Sequence, residues 1–282
     1  MSSRTVLTVF VALLVLLAGC GGAAVSEDGD GGVAGSSDGT GGDGADGSAD
    51  DAGPNGSDGD SPDQSFAVTD SEQALRDAGS FTARLYFEMT DSNGTTSSIE
   101  RTYAVDLDAE RSAQSFSIVG DAEAVEFETF HADGTAYTKL GDGEQAFYQV
   151  RPDDTDLVEN ALSQGMTGYD EFDDARHDGT ESFDGTTVDR FVFSDPTVWR
   201  QYGTTAFGTE ENVTVTDFTV VVLVDRDGLA RSTEWTLTGE TEDGRPVSAD
   251  WRYTVTDLGS TSVEDPDWLE DAVAQSQGQT DY

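Results

Sequence analysis

From Phe66 onward, apolar and polar positions alternate with a period of two. Between positions 81 and 89, Phe81, Ala83, Leu85, Phe87 and Met89 fall on one side, and Thr82, Arg84, Tyr86 and Glu88 on the other. This is the pattern of a half-buried β-strand. The same alternation predicts strands over 99–107, 111–119, 124–131, 135–140, 146–150, 187–193, 213–224, 229–239 and 246–257. Asp-Gly pairs beginning at Asp133, Asp142, Asp178, Asp184, Asp227 and Asp243 predict turns, because both residues tolerate positive φ.

Four segments depart from this period. Positions 69–78 predict a short helix, with Thr69 and Glu72 as a capping box and Gly79 as its stop. Positions 154–164 place Leu157, Ala161 and Leu162 at helical spacing behind Asp153 or Asp154 as cap. Positions 196–205 follow Asp195, with Pro196 at the first helical position. Positions 266–274 carry Trp268, Leu269 and Val273 and predict a last short helix, followed by a flexible tail over 275–282. The fold class is therefore α+β: a strongly twisted antiparallel sheet, open or an incomplete barrel. Two or three helices cover its concave face.

The first 65 residues follow no such pattern. A short basic start ending at Arg4 precedes an apolar run from Val6 to Ala18, then Gly19 and Cys20. This layout predicts a secretory signal peptide over 1–19. Its apolar core is shorter than the roughly 20 residues that span a bilayer. Leu17-Ala18-Gly19-Cys20 resembles the lipobox of prokaryotic lipoproteins. The resemblance implies cleavage between Gly19 and Cys20, a lipid on the Cys20 thiol, and anchorage to the extracytoplasmic face of the cell membrane. No Arg-Arg pair precedes the core, which points to the general secretory route. Residues 21–65 hold 14 of the 32 glycines and 11 acidic residues, with no Lys, Arg or aromatic. Such a stretch buries too little apolar surface to offset its ordering entropy. Residues 20–65 are read as a tether reaching about 35 to 40 Å, and residues 66–274 as a single domain. Chance matches to a dinucleotide fingerprint (39–44) and a nucleophile elbow (35–39) lie in this tether without the strand and helix that either needs.

Charge narrows the partners. The chain has 57 acidic and 14 basic residues, a net charge of -43, and its one lysine is Lys139. Nucleic acid is excluded, because binding it needs a basic footprint. Self-repulsion at this charge strains a compact fold, and molar salt, with a Debye length of roughly 3 Å, screens it. The composition is that of a halophile, in keeping with an archaeal source. Cys20 is the sole cysteine, so no intramolecular disulfide forms.

The layout of export signal, opening helix, meandering strands, midway helices and three long closing strands resembles the LolA/LppX/LprG-like lipoprotein fold. The resemblance is carried by Phe81-Thr82-Ala83-Arg84-Leu85-Tyr86-Phe87, Ala136-Tyr137-Thr138-Lys139, Val188-Asp189-Arg190-Phe191-Val192-Phe193 and the closing hairpin with Trp235-Thr236-Leu237. It implies an incomplete barrel wrapped around helices, with a lipid or lipoprotein acyl chain held between them.

The candidate cavity residues are Phe81, Leu85, Phe87, Met89, Tyr103, Phe116, Phe127, Trp235, Trp251 and Tyr253. A closed dry core uses the same residue types, and both readings stay open at this point. His131 and His177, the only histidines, are expected at the surface and outside any catalytic motif. Acidic clusters at 153–156 and 170–174 are expected to be solvated surface, with no metal and no cofactor. Asn55, Asn93 and Asn212 begin Asn-x-Ser/Thr sequons and are candidate glycan sites. The leading expectation is a lipoprotein that binds an apolar ligand. The alternative is a non-catalytic surface module with a closed core, and an enzyme has no motif to support it.

Overall fold

A computed structural model describes residues 65–279 apart from 121–123, 144–145, 164, 166–168, 173 and 197–212. The lipobox with Gly19 and Cys20, the sequons at Asn55 and Asn212, the tether and nearly all of the helix expected over 196–205 lie outside the described residues.

The chain runs α1 (Ser71–Ala78), β1 (Ser80–Thr90), β2 (Thr96–Asp106), β3 (Arg111–Val119), β4 (Val125–Ala132), β5 (Thr135–Leu140), β6 (Phe147–Pro152) and α2 (Leu157–Leu162). A 3-10 turn (Tyr169–Phe172) follows, then β7 (Arg176–Phe183), β8 (Thr186–Ser194), β9 (Val213–Asp225), β10 (Ala230–Thr241), β11 (Pro246–Thr256) and α3 (Leu269–Gln279). All eleven strands form one antiparallel sheet in the order β6-β5-β4-β3-β2-β1-β11-β10-β9-β8-β7. The order is linear: β6 and β7 are its edges and do not pair, so the sheet is open as the alternation predicts.

Strand register fixes the two faces. One row of side chains crosses the sheet perpendicular to the strands: Phe147, Leu140, Phe127, Phe116, Arg101, Leu85, Tyr253, Thr233, Val222, Phe191 and His177. Side chains alternate across a strand, so this row and its equivalents two residues away define an inner face. α1 and α2 lie on it. Leu75 of α1 and Val158 and Ala161 of α2 pack against Phe81, Ala83, Tyr103, Val105, Tyr253 and Val255. The 3-10 turn lies on the same face, with Phe172 packed in the cluster of Phe191, Phe218, Trp235 and Leu237. α3 lies on the other face: Trp268 and Ala272 pack against Phe130, Ala113, Tyr137 and Tyr148. Among the described residues the helices are thus divided between the faces, α1 and α2 on the inner and α3 on the outer, where all were expected on the concave one.

Several local expectations are corrected. α1 is capped by Asp70, whose Oδ1 accepts from the backbone of Glu72 and Gln73. Thr69 does not cap it: it is turned toward the β9–β10 turn, its N–H donating to the Gly228 carbonyl at 2.9 Å and its hydroxyl to the Asp227 carbonyl at 3.5 Å. α2 begins at Leu157 behind Asp156, which accepts from Val158 and Glu159. Asp153 is drawn away to the backbone of Thr155. The segment around Asp178-Gly179, expected as a turn or loop, belongs to strand β7. A register shift between His177 and Thr180 and a φ of +101° at Gly179 mark a bulge there. Most of its side chains are exposed, so no apolar alternation announced it. α3 starts later than expected and continues to Gln279. Asp133-Gly134 and Asp184-Gly185 are tight turns with positive φ at both residues, as predicted.

Candidate functional site: the inner face of the sheet

All ten cavity candidates lie on the inner face, but they fall into different environments. Phe81 and Tyr103 are buried under α1 and α2, beside Tyr253, with Leu85 and Trp251 at the margin. Trp235 is buried next to Phe218, with Phe87 and Met89 packed on the same cluster. Trp235 and Trp251 stack across β10 and β11, ring centroids 6.3 Å apart at 7°, and Trp251 stacks on Tyr253 at 6.3 Å. Phe116 and Phe127 stack at 4.6 Å on the opposite half of the sheet.

The helices do not cover this face evenly. Between α1, α2, the 3-10 turn and the ends of β10 and β11 lies a pocket of about 270 Å³. Leu75, Leu162, Tyr169, Leu229, Tyr253 and Val255 give it an apolar lining, and Asp70 and Glu72 stand at its acidic side. Of the ten sequence candidates only Tyr253 lines it. Val255 and Ala230 line it from β11 and β10, and the remaining lining residues come from helix and loop positions whose approach to the sheet no alternation pattern reveals. The pocket's tyrosines are anchored: Tyr253 donates to the Ala161 carbonyl at 3.1 Å, and the Tyr169 and Thr233 hydroxyls lie 2.9 Å apart. Burial pushes the phenols of Tyr169 and Tyr253 up from their ordinary range, so both stay protonated.

Toward β6 the inner face carries a track of apolar side chains. Phe116 and Ile99 are buried, Phe127 is partly buried, and Val125, Leu140 and Phe147 are 41%, 47% and 55% exposed. Beside this track runs a polar row of Gln114, Thr129, Thr138 and Gln149. Between track and pocket stands Arg101, which shares the inner-face row with Phe116 on one side and Leu85 on the other. Its Nη2 donates to Gln114 Oε1 at 3.0 Å, and its guanidinium carbon lies 5.7 Å from the Tyr103 ring centroid.

Each of the two histidines stands beside an aspartate. His131 is buried (9% exposed), contrary to expectation: it lies on the inner face near the end of β4, between Ser112 of β3 and Ala136 of β5 and beside Asp153 in the segment that follows β6. Its Nδ1 lies 3.7 Å from Asp153 Oδ2, and Ser112 stands opposite it on β3. Ser112 Oγ is buried and makes no hydrogen bond. The hydroxyl-to-imidazole bond that activates a serine is therefore missing. His177 bonds Asp189 at 3.1 Å on the inner face near the β7 edge. Asp153 is likewise not solvated surface: its side chain is 7% exposed and also pairs with Arg151. Among the described residues no group of three His, Cys, Asp or Glu is placed to hold a metal ion. A second, polar pocket of about 430 Å³ at the end of the sheet is lined by Gly79, Asp106, Asp108 and Gly259. Asn93 is exposed in the β1–β2 turn, its Oδ1 accepting from Arg245 at 3.0 Å.

Fold and face define an open-sheet α+β protein whose apolar inner surface is partly roofed by helices. The chain belongs to DUF7537, a family of unknown function whose pattern matches residues 5–272. No curated protein matches it. Three crystal structures are similar in part. The structure of MucB in complex with MucA(peri) matches at 14% identity over 68% of this chain, with a TM-score of 0.26. This chain spans 56% of that one. A LolA superfamily protein from Nitrosomonas europaea matches at 11% identity, covering 71% of this chain and 97% of that one, with a TM-score of 0.19. A beta-barrel-like protein of the domain of unknown function DUF1849 from Brucella abortus matches at 11% identity, covering 66% and 99%, with a TM-score of 0.21. Likenesses at these scores carry no argument about ligand or role.

Proposed function

We propose that this protein is an exported lipoprotein, anchored through Cys20 to the extracytoplasmic face of the cell membrane, that binds an apolar ligand on the inner face of its sheet. The observation that carries the reading is the uneven roofing of that face. α1 and α2 leave a 270 Å³ apolar pocket, and the adjoining track keeps Leu140 and Phe147 about half exposed. The pocket sits just under the roughly 300 to 1,000 Å³ usual for small-molecule sites. It suits one chain or ring rather than a whole two-chain lipid. The ligand class is a membrane lipid or the acyl chain of another lipoprotein.

The test is to produce the full chain as Cys20→Ser in molar salt without detergent, extract it with organic solvent and identify what co-purifies by mass spectrometry. A stoichiometric amphiphile, lost in Leu162→Asp and Phe127→Asp variants that keep the wild-type circular dichroism, supports the reading. Solvent extracts no richer than those of the variants would reject it. Lipidation is tested separately: the mature wild-type chain should begin at Cys20 and carry lipid there, and an intact Met1 would refute the anchor.

A second reading is a surface interaction module, favoured by the same exposed Val125, Leu140 and Phe147. Large exposed apolar patches mark contact sites. Loss of partner cross-links in Phe147→Asp, with no lipid in the extract, would select it.

A further inference from the structure

The charge on this chain makes cations scarce and carboxylates abundant, so an arginine without a carboxylate needs a reason. Ten of the twelve described Lys and Arg residues have a carboxylate within 4.0 Å. The two exceptions are Arg84 and Arg101. Arg84 is exposed on the outer face, where its Nη1 donates to Thr256 Oγ1 at 3.3 Å. Arg101 is partly buried on the inner face. Leu85 and Phe116 flank it in its row, Ile99 and Tyr103 flank it along β2, and its one acceptor is the neutral Gln114. Its Nε is buried with no acceptor at all.

A cation held this way costs stability, because burial without a counter-charge is the expensive arrangement. Desolvation accordingly pushes the Arg101 pKa down, though an arginine remains charged at any ordinary pH. An anion would supply the missing counter-charge. A guanidinium offers several N–H donors in a planar fork that fits carboxylate and phosphate oxygens. The neighbouring apolar walls would strengthen such a pair by excluding water.

We propose that Arg101 is the headgroup-binding residue of the inner face, and that the ligand is an anionic amphiphile with a carboxylate or phosphate head and an apolar tail. This rests on the apolar-ligand reading above and specifies its chemistry. The tail lies along Phe116, Phe127, Leu140 and Phe147. Four strand spacings separate Arg101 from Phe147, about 19 Å at ~4.8 Å each, the length of a long alkyl chain. The opposite orientation, with the head at the mouth of the pocket, is disfavoured because Asp70 and Glu72 stand there. A neutral apolar ligand would leave Arg101 as orphaned as it is without one.

The experiment uses the full chain as Cys20→Ser in molar salt, with dodecyl phosphate, dodecanoate and dodecanol as probes, each below its critical micelle concentration. Inorganic phosphate and acetate serve as head-only controls. Tryptophan fluorescence and calorimetry report binding. The expected result is that both charged probes bind about 10- to 100-fold more tightly than dodecanol. Arg101→Met should abolish that preference while leaving dodecanol affinity unchanged, and Arg101→Lys should restore part of it. The unliganded Arg101→Met protein should melt no lower than the parent, since an unpaired buried cation has been removed. Equal binding of the three probes, or a preference that survives in Arg101→Met, would overturn the headgroup role and leave the apolar-ligand reading intact. Inorganic phosphate binding as tightly as dodecyl phosphate would replace the amphiphile with a small anion. Failure of every probe with a tail would overturn both readings together.

Discussion

The backbone N–H of Thr69 donates to the carbonyl of Gly228 at 2.9 Å, fastening the approach to α1 onto the turn between β9 and β10. Gly228 has a φ of +86°, and a Cβ there would lie 2.5 Å from Thr69 Cγ2. Gly228→Ala therefore meets both backbone strain and a clash, and should cost about 2 kcal/mol or more. Thr69→Ser, which removes the clashing methyl, should recover part of the loss. Urea unfolding of the two single variants and the double would check this, and strict additivity would reject the contact.

Arg231 is the counterpart of Arg101, a buried cation that is fully served. Its side chain is 5% exposed; Nη2 donates to Asp184 at 2.9 Å and Nε to the Val255 carbonyl at 3.0 Å, with Asp225 at 3.7 Å. Asp184→Ala removes its closest carboxylate and should cost about 3 kcal/mol. Arg226→Ala, at an exposed pair, should stay within about 0.5 kcal/mol. Denaturant midpoints distinguish the two, and equal effects would contradict the assignment.

His131 predicts an acid-side loss of stability. Burial pushes its imidazole pKa down, the neighbouring Asp153 opposes that shift, and Arg151 adds to it. The unfolded chain therefore takes up a proton near pH 6.5 that the folded chain accepts only at lower pH. The contribution is fully present above about 6.5 and declines as pH falls below it, by at most about 1.4 kcal/mol per unit. His131→Gln should flatten the difference between unfolding midpoints at pH 7.5 and 5.5. An unchanged difference would assign the dependence to other groups.

The net charge of -43 predicts that the fold depends on salt. Circular dichroism should report loss of the strand signal when molar salt is replaced by millimolar buffer, because repulsion between carboxylates is then unscreened. A spectrum that does not change would refute the halophilic reading.

Strands were legible in the sequence wherever one face is buried. The alternation from Phe81 to Met89 gave β1 nearly residue for residue, and positions 111–119 and 135–140 coincide with β3 and β5. β7 was invisible because an edge strand with exposed side chains has no apolar period to read. The caps shifted by one to three residues because other bonds engage the candidates: the distant Gly228 and Asp227 carbonyls hold Thr69, and the nearby Thr155 N–H holds Asp153. The shared inner face of the ten aromatic and aliphatic candidates followed from period two. The pocket did not, because it depends on where α1 and α2 land on the sheet. Arg101 was hidden for a related reason: a sequence displays an arginine, whereas the lack of a nearby carboxylate exists only in three dimensions.

Nine of the ten strand pairings join neighbours in sequence, and only β1 with β11 brings distant segments together. β1–β6 and β7–β11 are thus two ribbons that can each zip from local hairpins, with low loop-closure entropy. The costly search is concentrated in one event, the docking of residues 246–256 against 80–90. The Ala83–Val255 and Leu85–Tyr253 rungs are its seam. Refolding speed should therefore be set at that seam, and a chain caught before it closes would present two unjoined ribbon edges to its neighbours.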